Sequence, residues 1–266
     1  MPKPPPPPRK ARQDAPAQNR SLERGLEILL AFRPGTDLMG NGEIAERTGI
    51  AKATVSRLTQ TLVRAGMLDY DGQARAYRIG AAALSLALAM RQSNPALQAA
   101  LKLMRTASER LHVNVGLATA HGQDMVYLES FRYNRRPELR TVVSGQRIPI
   151  ELTSLGRAYL AAAPAVQRSE FLDALRARNP GRFEAVRRPI AEAIAQVREH
   201  GFCAVAWQRD VVAVATPVVL PYGPIYALNM SISGRESLAE IVETLPGPLL
   251  ALRGEIMSRL GCGTDA

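Results

Sequence analysis

Between residues 41 and 79 the hydrophobic period of the chain switches from helical to alternating, and that switch constrains the fold more than any other feature. Gly40 or Asn41 opens a predicted short helix over 43–47 that buries Ile44 and Ala45. Thr48, Gly49 and Ile50 make a tight turn. A helix over 52–64 follows, with Val55, Leu58 and Leu62 inward, and Gly66 ends it as a C-cap. Segments 67–70 and 74–79 then alternate like paired strands joined by Asp71 and Gly72, a strong short hairpin signal. Upstream, Ser21 is placed to cap a first helix that runs to Phe32, with Leu22, Leu26, Leu29 and Leu30 at helical spacing and Glu23 in the first turn. Three helices with a glycine turn between the second and third, then a hairpin, is the order of a winged helix-turn-helix.

The third helix is the candidate reader of DNA. Its outward residues are Lys52, Ala53, Thr54, Ser56, Arg57 and Gln60, small or hydrogen-bonding side chains suited to base edges and phosphates, with no acid among them. A merely solvated face more often carries Glu–Lys pairs. Arg75 sits at the tip of the wing, where a phosphate or minor groove lies within reach, and Arg20 and Ser21 at the start of the first helix complete the DNA-facing set. The competing reading is a three-helix domain for protein contacts.

Charge supports this only in part. The formal net charge of +10 and a pI of about 10.2 favour a polyanion, either nucleic acid or an anionic membrane. Residues 20–80, however, hold nine basic and seven acidic side chains, so the DNA reading rests on pattern. Residues 1–19 form a proline-rich tail with Lys3, Arg9, Lys10 and Arg12, read as an unstructured leader in preference to a DNA-touching arm. The tail has no apolar core and is not read as a signal peptide, and no stretch approaches the roughly 20 apolar residues of a membrane span, so a cytoplasmic location is expected.

Residues 81–94 read as a linker helix. Leu84, Leu86, Leu88 and Met90 make it apolar on several faces, so burial between domains or protomers is expected. Asn94 and Pro95 open another helix to about Leu111. In the back domain, 95–266, strands are predicted at 113–119, 125–131, 139–144, 202–207, 211–220 and 225–233, and helices at 153–163, 166–178, 182–200 and 237–260. Hairpin-joined strands with segregated helices indicate an α+β domain on an antiparallel sheet.

Enzyme chemistry finds no footing. His112, His121 and His200 lack metal-ligand spacing, Ser154 is not in a nucleophile elbow, and no glycine-rich phosphate loop is present. Cys203 and Cys262 read as unpaired thiols. No cofactor and no metal are expected.

Several separated stretches resemble the IclR family of bacterial transcriptional regulators: SLERGLEIL at 21–29, EIAERTG at 43–49 with TVSRL at 54–58, MVYLES at 125–130, GQRIP at 145–149 with TSLGR at 153–157, and AVATPV at 213–218 with SISG at 231–234. Each is weak alone; their order and spacing make the resemblance specific. It implies a homodimer or tetramer on a palindromic double-stranded operator, and a GAF-like C-terminal sheet whose pocket takes a small carboxylate or aromatic acid. It places that effector site at Arg140, Ile148, Ser154, Leu155, Val211, Ala213, Ser231 and Ser233. Residues 207–213 depart from the family pattern: the usual acidic run is absent and Ala213 stands where a cysteine is common. Trp207, the only tryptophan, reads equally as a pocket residue for an aromatic acid and as a core or interface aromatic. A helix-turn-helix scaffold without ligand is the remaining alternative.

Overall fold

The computed structural model describes residues 19–133, 143–208, 211–221, 223–233 and 238–262. It separates into two compact units that divide between Leu86 and Ala87.

The first unit carries α1 (Arg20–Ala31), α2 (Asn41–Thr48), α3 (Lys52–Arg64), β1 (Leu68–Asp71) and β2 (Ala76–Ile79) around a core of Ile28, Met39, Ile44, Ile50, Val55, Leu68 and Tyr77. Gly49 closes α2 in the left-handed region at φ 69°, which lets the chain reverse into α3. Several details differ from the sequence reading. Asn19, not Ser21, caps α1: its Oδ1 accepts the Leu22 amide at 3.2 Å. On α1 it is Ile28 that is buried, while Leu22 and Leu26 are exposed. Ala65 is the cap residue of α3, and Gly66 follows it at φ 70°. The wing turn is longer than a two-residue Asp-Gly turn, because the Asp71 carboxylate takes the amides of Gln73 and Ala74 at 3.0 and 2.9 Å and Arg75 adopts a φ of 51°. Strand pairing therefore resumes only at Ala76. Met39 adds a bridge on the other edge of β2, exchanging two backbone hydrogen bonds of 2.9 Å with Tyr77.

Helix α4 (Ala82–Ser93) spans the boundary between the two units. None of its residues is buried, and Leu84, Leu86, Leu88 and Met90 are all exposed within the chain.

In the second unit α5 (Pro95–Leu111) is capped by Asn94, whose Oδ1 accepts the Leu97 amide at 2.9 Å. The strands are β3 (Asn114–His121), β4 (Asp124–Phe131), β5 (Arg147–Pro149), β6 (Cys203–Gln208), β7 (Val211–Val219) and β8 (Ile225–Ser233). They form one antiparallel sheet in the order β5-β4-β3-β8-β7-β6. Alternation sends Val115, Leu117, Val212, Val214, Leu228 and Met230 to one face, in a core shared with α5 and with α10 (Pro246–Arg259). The opposite face presents Ala118, Cys203, Ala215 and Ala227 to α6 (Ser154–Ala162), α7 (Ala165–Arg178) and α8 (Pro180–His200). The fold is thus α+β, as expected. Most of the strand read at 139–144 lies outside the described residues; 143–144 are not strand, and the edge position belongs to β5. The single helix read at 237–260 is two, α9 (Leu238–Thr244) and α10, because Pro246 lacks an amide hydrogen and opens a new helix.

Candidate DNA-reading face and ligand site

On α3 the heptad-like burial of Val55 and Thr59 fixes which face turns outward. Thr59 is wholly buried, and its hydroxyl is held by the carbonyls of Val55 and Ser56 at 3.0 and 3.1 Å and lies 3.4 Å from Asn41 Oδ1. The hydroxyl is thus satisfied mainly within α3, with Asn41 of α2 beside it; the apolar periodicity gave no sign of this buried polar group. Lys52, Ala53, Arg57 and Gln60 are exposed, and Thr54 and Ser56 half-buried. Thr61 and Arg64, not singled out from the sequence, continue the same acid-free helix, with Arg64 donating to the Thr61 hydroxyl at 3.2 Å. Ser21 and Arg57 line one groove of about 530 Å³ between α1 and α3, together with Leu22, Leu26 and Leu58. Arg20 is exposed on the first turn of α1, and Arg75 is exposed in the wing turn. No described acid forms an ion pair with Lys52, Arg57 or Arg75, whereas Arg47 and Arg78 are paired with Glu43 and Asp71.

In the second unit, sheet register gathers part of the sequence-read ligand set. Ala213 lies directly opposite Ser231, and Ser231 opposite Asn114. Val211 and Ser233 pair at the next such position toward the strand ends, and the backbone of Trp207 lies at the bulge of β6. Paired residues share a face, so Ala213, Ser231 and Asn114 project toward α6 with Ala215 and Asn229 beside them. Ser231, Ala213 and Asn114 are all buried.

The N-terminal end of α6 packs on this same face. Thr153 caps it through a 3.2 Å hydrogen bond from the Gly156 amide, and the Cys203 thiol donates to the Ser154 carbonyl at 3.6 Å. Ser154 and Leu155 are both buried. Burial pushes the Cys203 thiol up to about 12, with the charge of Arg157 offsetting this only in part. The structure sets Ile148 apart from the serines: it pairs with Met125, which pairs with Ala120, six residues along β3 from Asn114, or about 20 Å at the rise of a strand. Arg140 lies outside the described residues.

Three polar residues on the α6 face escaped the sequence reading. Asn114 and Asn229 are buried in central strands, and Tyr127 of β4 is buried with the Asn229 side chain as its polar neighbour. Their signal was an asparagine inside an otherwise apolar strand. Gly116 makes this arrangement possible: a Cβ there would lie 2.5 Å from the Tyr127 ring and 2.7 Å from Asn229 Oδ1. Among the described residues no group of three or more His, Cys, Asp or Glu is placed to hold a metal ion, and no helix is long and apolar enough to cross a membrane.

A winged helix-turn-helix joined to a six-stranded α+β unit defines a DNA-binding transcriptional regulator. Residues 21–72 match the IclR helix-turn-helix domain, and residues 89–245 match the bacterial transcriptional regulator IclR C-terminal domain. The chain belongs to the IclR family of transcriptional regulators. It is 32% identical to the HTH-type transcriptional regulator TsaQ1/TsaQ2 of Comamonas testosteroni over 238 residues, which is 86% of this chain and 84% of that protein. It is also similar to an IclR family regulator from Brucella abortus, with a TM-score of 0.82 and 32% identity over 91% of this chain and 93% of that one. A third likeness, in fold alone, is to an IclR homologue of Microbacterium hydrocarbonoxydans in complex with 4-hydroxybenzoate, with a TM-score of 0.68 and 22% identity, covering 91% of this chain and all of that one.

Proposed function

We propose that this chain controls transcription by binding a palindromic operator as a homodimer or tetramer, with a small organic acid in the second unit setting operator affinity. In this reading Lys52, Ala53, Thr54, Ser56, Arg57 and Gln60 enter the major groove, Arg75 reaches a flanking phosphate or minor groove, and Arg20 and Ser21 add contacts from α1. The exposed, unpaired bases of α3 and the wing support the first part. Leu84, Leu86, Leu88 and Met90, exposed on more than one face of α4, support assembly, since so much exposed apolar surface favours a second copy.

The observation that carries ligand control is the buried polar pair of Ser231 and Asn114 beside Ala213, on the sheet face that α6 covers. A few convergent polar groups in apolar surroundings are the usual make-up of a small-molecule site. The amides of Ser154 and Leu155 precede the first intrahelical hydrogen bond, and a helix N-terminus favours an anion. The strand positions of Ser233, Val211 and Trp207 continue from the pair of Ser231 and Asn114, and Leu155 belongs to the apolar cluster on the same face, whereas Ile148 lies too far along the sheet to touch a ligand held there. The 4-hydroxybenzoate of the Microbacterium protein makes aromatic acids the first to try.

Fluorescence anisotropy on labelled DNA flanking the chain's own gene tests the reading, with and without a panel of aliphatic and aromatic acids. The expected result is binding that at least one acid shifts, with the paired changes Ser231→Ala and Ser233→Ala weakening the acid by about 1–3 kcal/mol while leaving ligand-free DNA binding intact. DNA binding indifferent to every acid would point to a scaffold without ligand control.

A further inference from the structure

Two buried polar atoms near the α6 face of the sheet, Asn114 Oδ1 and Arg132 Nε, have no hydrogen-bond partner among the described residues. Asn114 is 3% exposed, and its Oδ1 is buried with no hydrogen bond. An unsatisfied buried acceptor loses its hydration with nothing in return, and native proteins carry few of them. Arg132 follows β4 immediately; since Phe131 pairs with Val115, Arg132 continues that register to the position beside Asn114. Its Nε is buried without a partner, and among the described residues its guanidinium makes no ion pair. Burial lowers its pKa from the ordinary arginine value, partly offset by the neighbouring Tyr127 hydroxyl. A half-buried cation that no described acid neutralises is unfavourable, because desolvation is repaid only when an anion and further hydrogen bonds complete it.

The floor between these groups is low. Ala213 and Ala215 present only methyl groups beside Ser231 and Asn229, while the Tyr127 ring and the Asn229 side chain cover Gly116 and wall that side of the floor. One side of the floor thus offers a positive charge, and its centre offers a buried acceptor.

We propose that Arg132 and Asn114 are ligand-binding residues, and that the ligand is a hydroxylated carboxylic acid whose carboxylate pairs with Arg132 and whose hydroxyl donates to Asn114 Oδ1. This rests on the acid-control reading above and narrows it. Guanidinium and carboxylate match as a two-bond pair, and the hydroxyl supplies the donor that Asn114 lacks. A site built around a buried acceptor rejects the analogue without the hydroxyl, since binding it would leave that acceptor unpaired.

Calorimetry on the full chain with matched acids tests this: 2-, 3- and 4-hydroxybenzoate against benzoate, and lactate against propionate. At least one hydroxy acid is expected to bind tenfold or more tightly than its partner. Arg132→Gln is expected to cost both members of that pair tenfold or more, with Arg132→Lys recovering part of the loss. Asn114→Leu is expected to abolish the difference within the pair while the unhydroxylated acid still binds, and circular dichroism and thermal melting establish that each variant is folded. Acids that bind a folded Arg132→Gln variant as they bind the parent, or pairs the parent does not distinguish, overturn the proposal and leave acid control standing. Failure of every acid to bind the parent overturns both.

Discussion

Arg91 near the end of α4 reaches Glu129 of β4 in an ion pair of 2.6 Å, and its second amino group donates to the Leu128 carbonyl at 2.8 Å. Glu129 in turn accepts from the Ser144 hydroxyl and the Ser130 amide, each at 2.9 Å. One carboxylate thus ties the linker helix to the sheet strand that leads to Arg132. Burial alone raises the Glu129 pKa, but the hydrogen bonds from Arg91, Ser130 and Ser144 outweigh it and hold the carboxyl below its ordinary value of 4.5. A carboxylate with a depressed folded pKa stabilises the native state fully above its unfolded pKa, and that stability is lost as pH falls through the folded value. Glu129→Gln is therefore expected to cost about 1–2 kcal/mol in urea unfolding at pH 7, with the difference shrinking below about pH 4.5. A constant difference across that range would show that the charge of Glu129 is not what stabilises.

Exposed leucines on α4 make a second prediction. Leu88→Glu is expected to reduce the assembled mass seen by light scattering, leave helix content unchanged, and weaken operator binding by loss of two-fold recognition. An intact assembly in the variant would show that Leu88 lies outside any interface between copies.

Much of this fold was legible because period and punctuation agreed. Lys52–Arg64 and Ile225–Ser233 match their predicted bounds, since a single apolar stripe or strict alternation runs between clear stops. Errors fell where side chains compete with the backbone pattern: Asn19 for the cap of α1, Asp71 for the wing turn, Pro246 for the break before α10. The apolar faces of α4 were legible too, but which surface covers them is set by other elements or copies and not by spacing along the helix. Ser231 and Ala213 were named through family resemblance, and sheet register sets them side by side on one face. Asn114 and Arg132 were missed because their meaning depends on cross-strand register and on the absence of a partner, neither of which spacing reveals.

Thiol chemistry separates the two cysteines. Cys203 is buried and its thiol is pushed up to about 12, while Cys262 is half-exposed. Ellman's reagent at pH 8 is expected to titrate one thiol quickly in the folded chain and the second only in denaturant. Two fast thiols would mean that the α6 face opens readily around Ser154.

Gly116→Ala probes the ligand floor. Its Cβ would press on Tyr127 and on Asn229, so a loss of about 1–3 kcal/mol in thermal or urea unfolding is expected, with reduced acid binding in whatever folds. Unchanged stability would show that the Tyr127 ring does not lie over the strand.

Whether α3 reads DNA is tested most directly by Arg57→Ala, because Arg57 is exposed and takes no part in the core of the first unit. Fluorescence anisotropy with DNA flanking the chain's own gene is expected to show affinity lower by about 1–3 kcal/mol and a relaxed preference at one base position in each half-site, with thermal stability unchanged. Parent-like affinity and base preference in the folded variant would contradict the assignment of α3 as the reading helix.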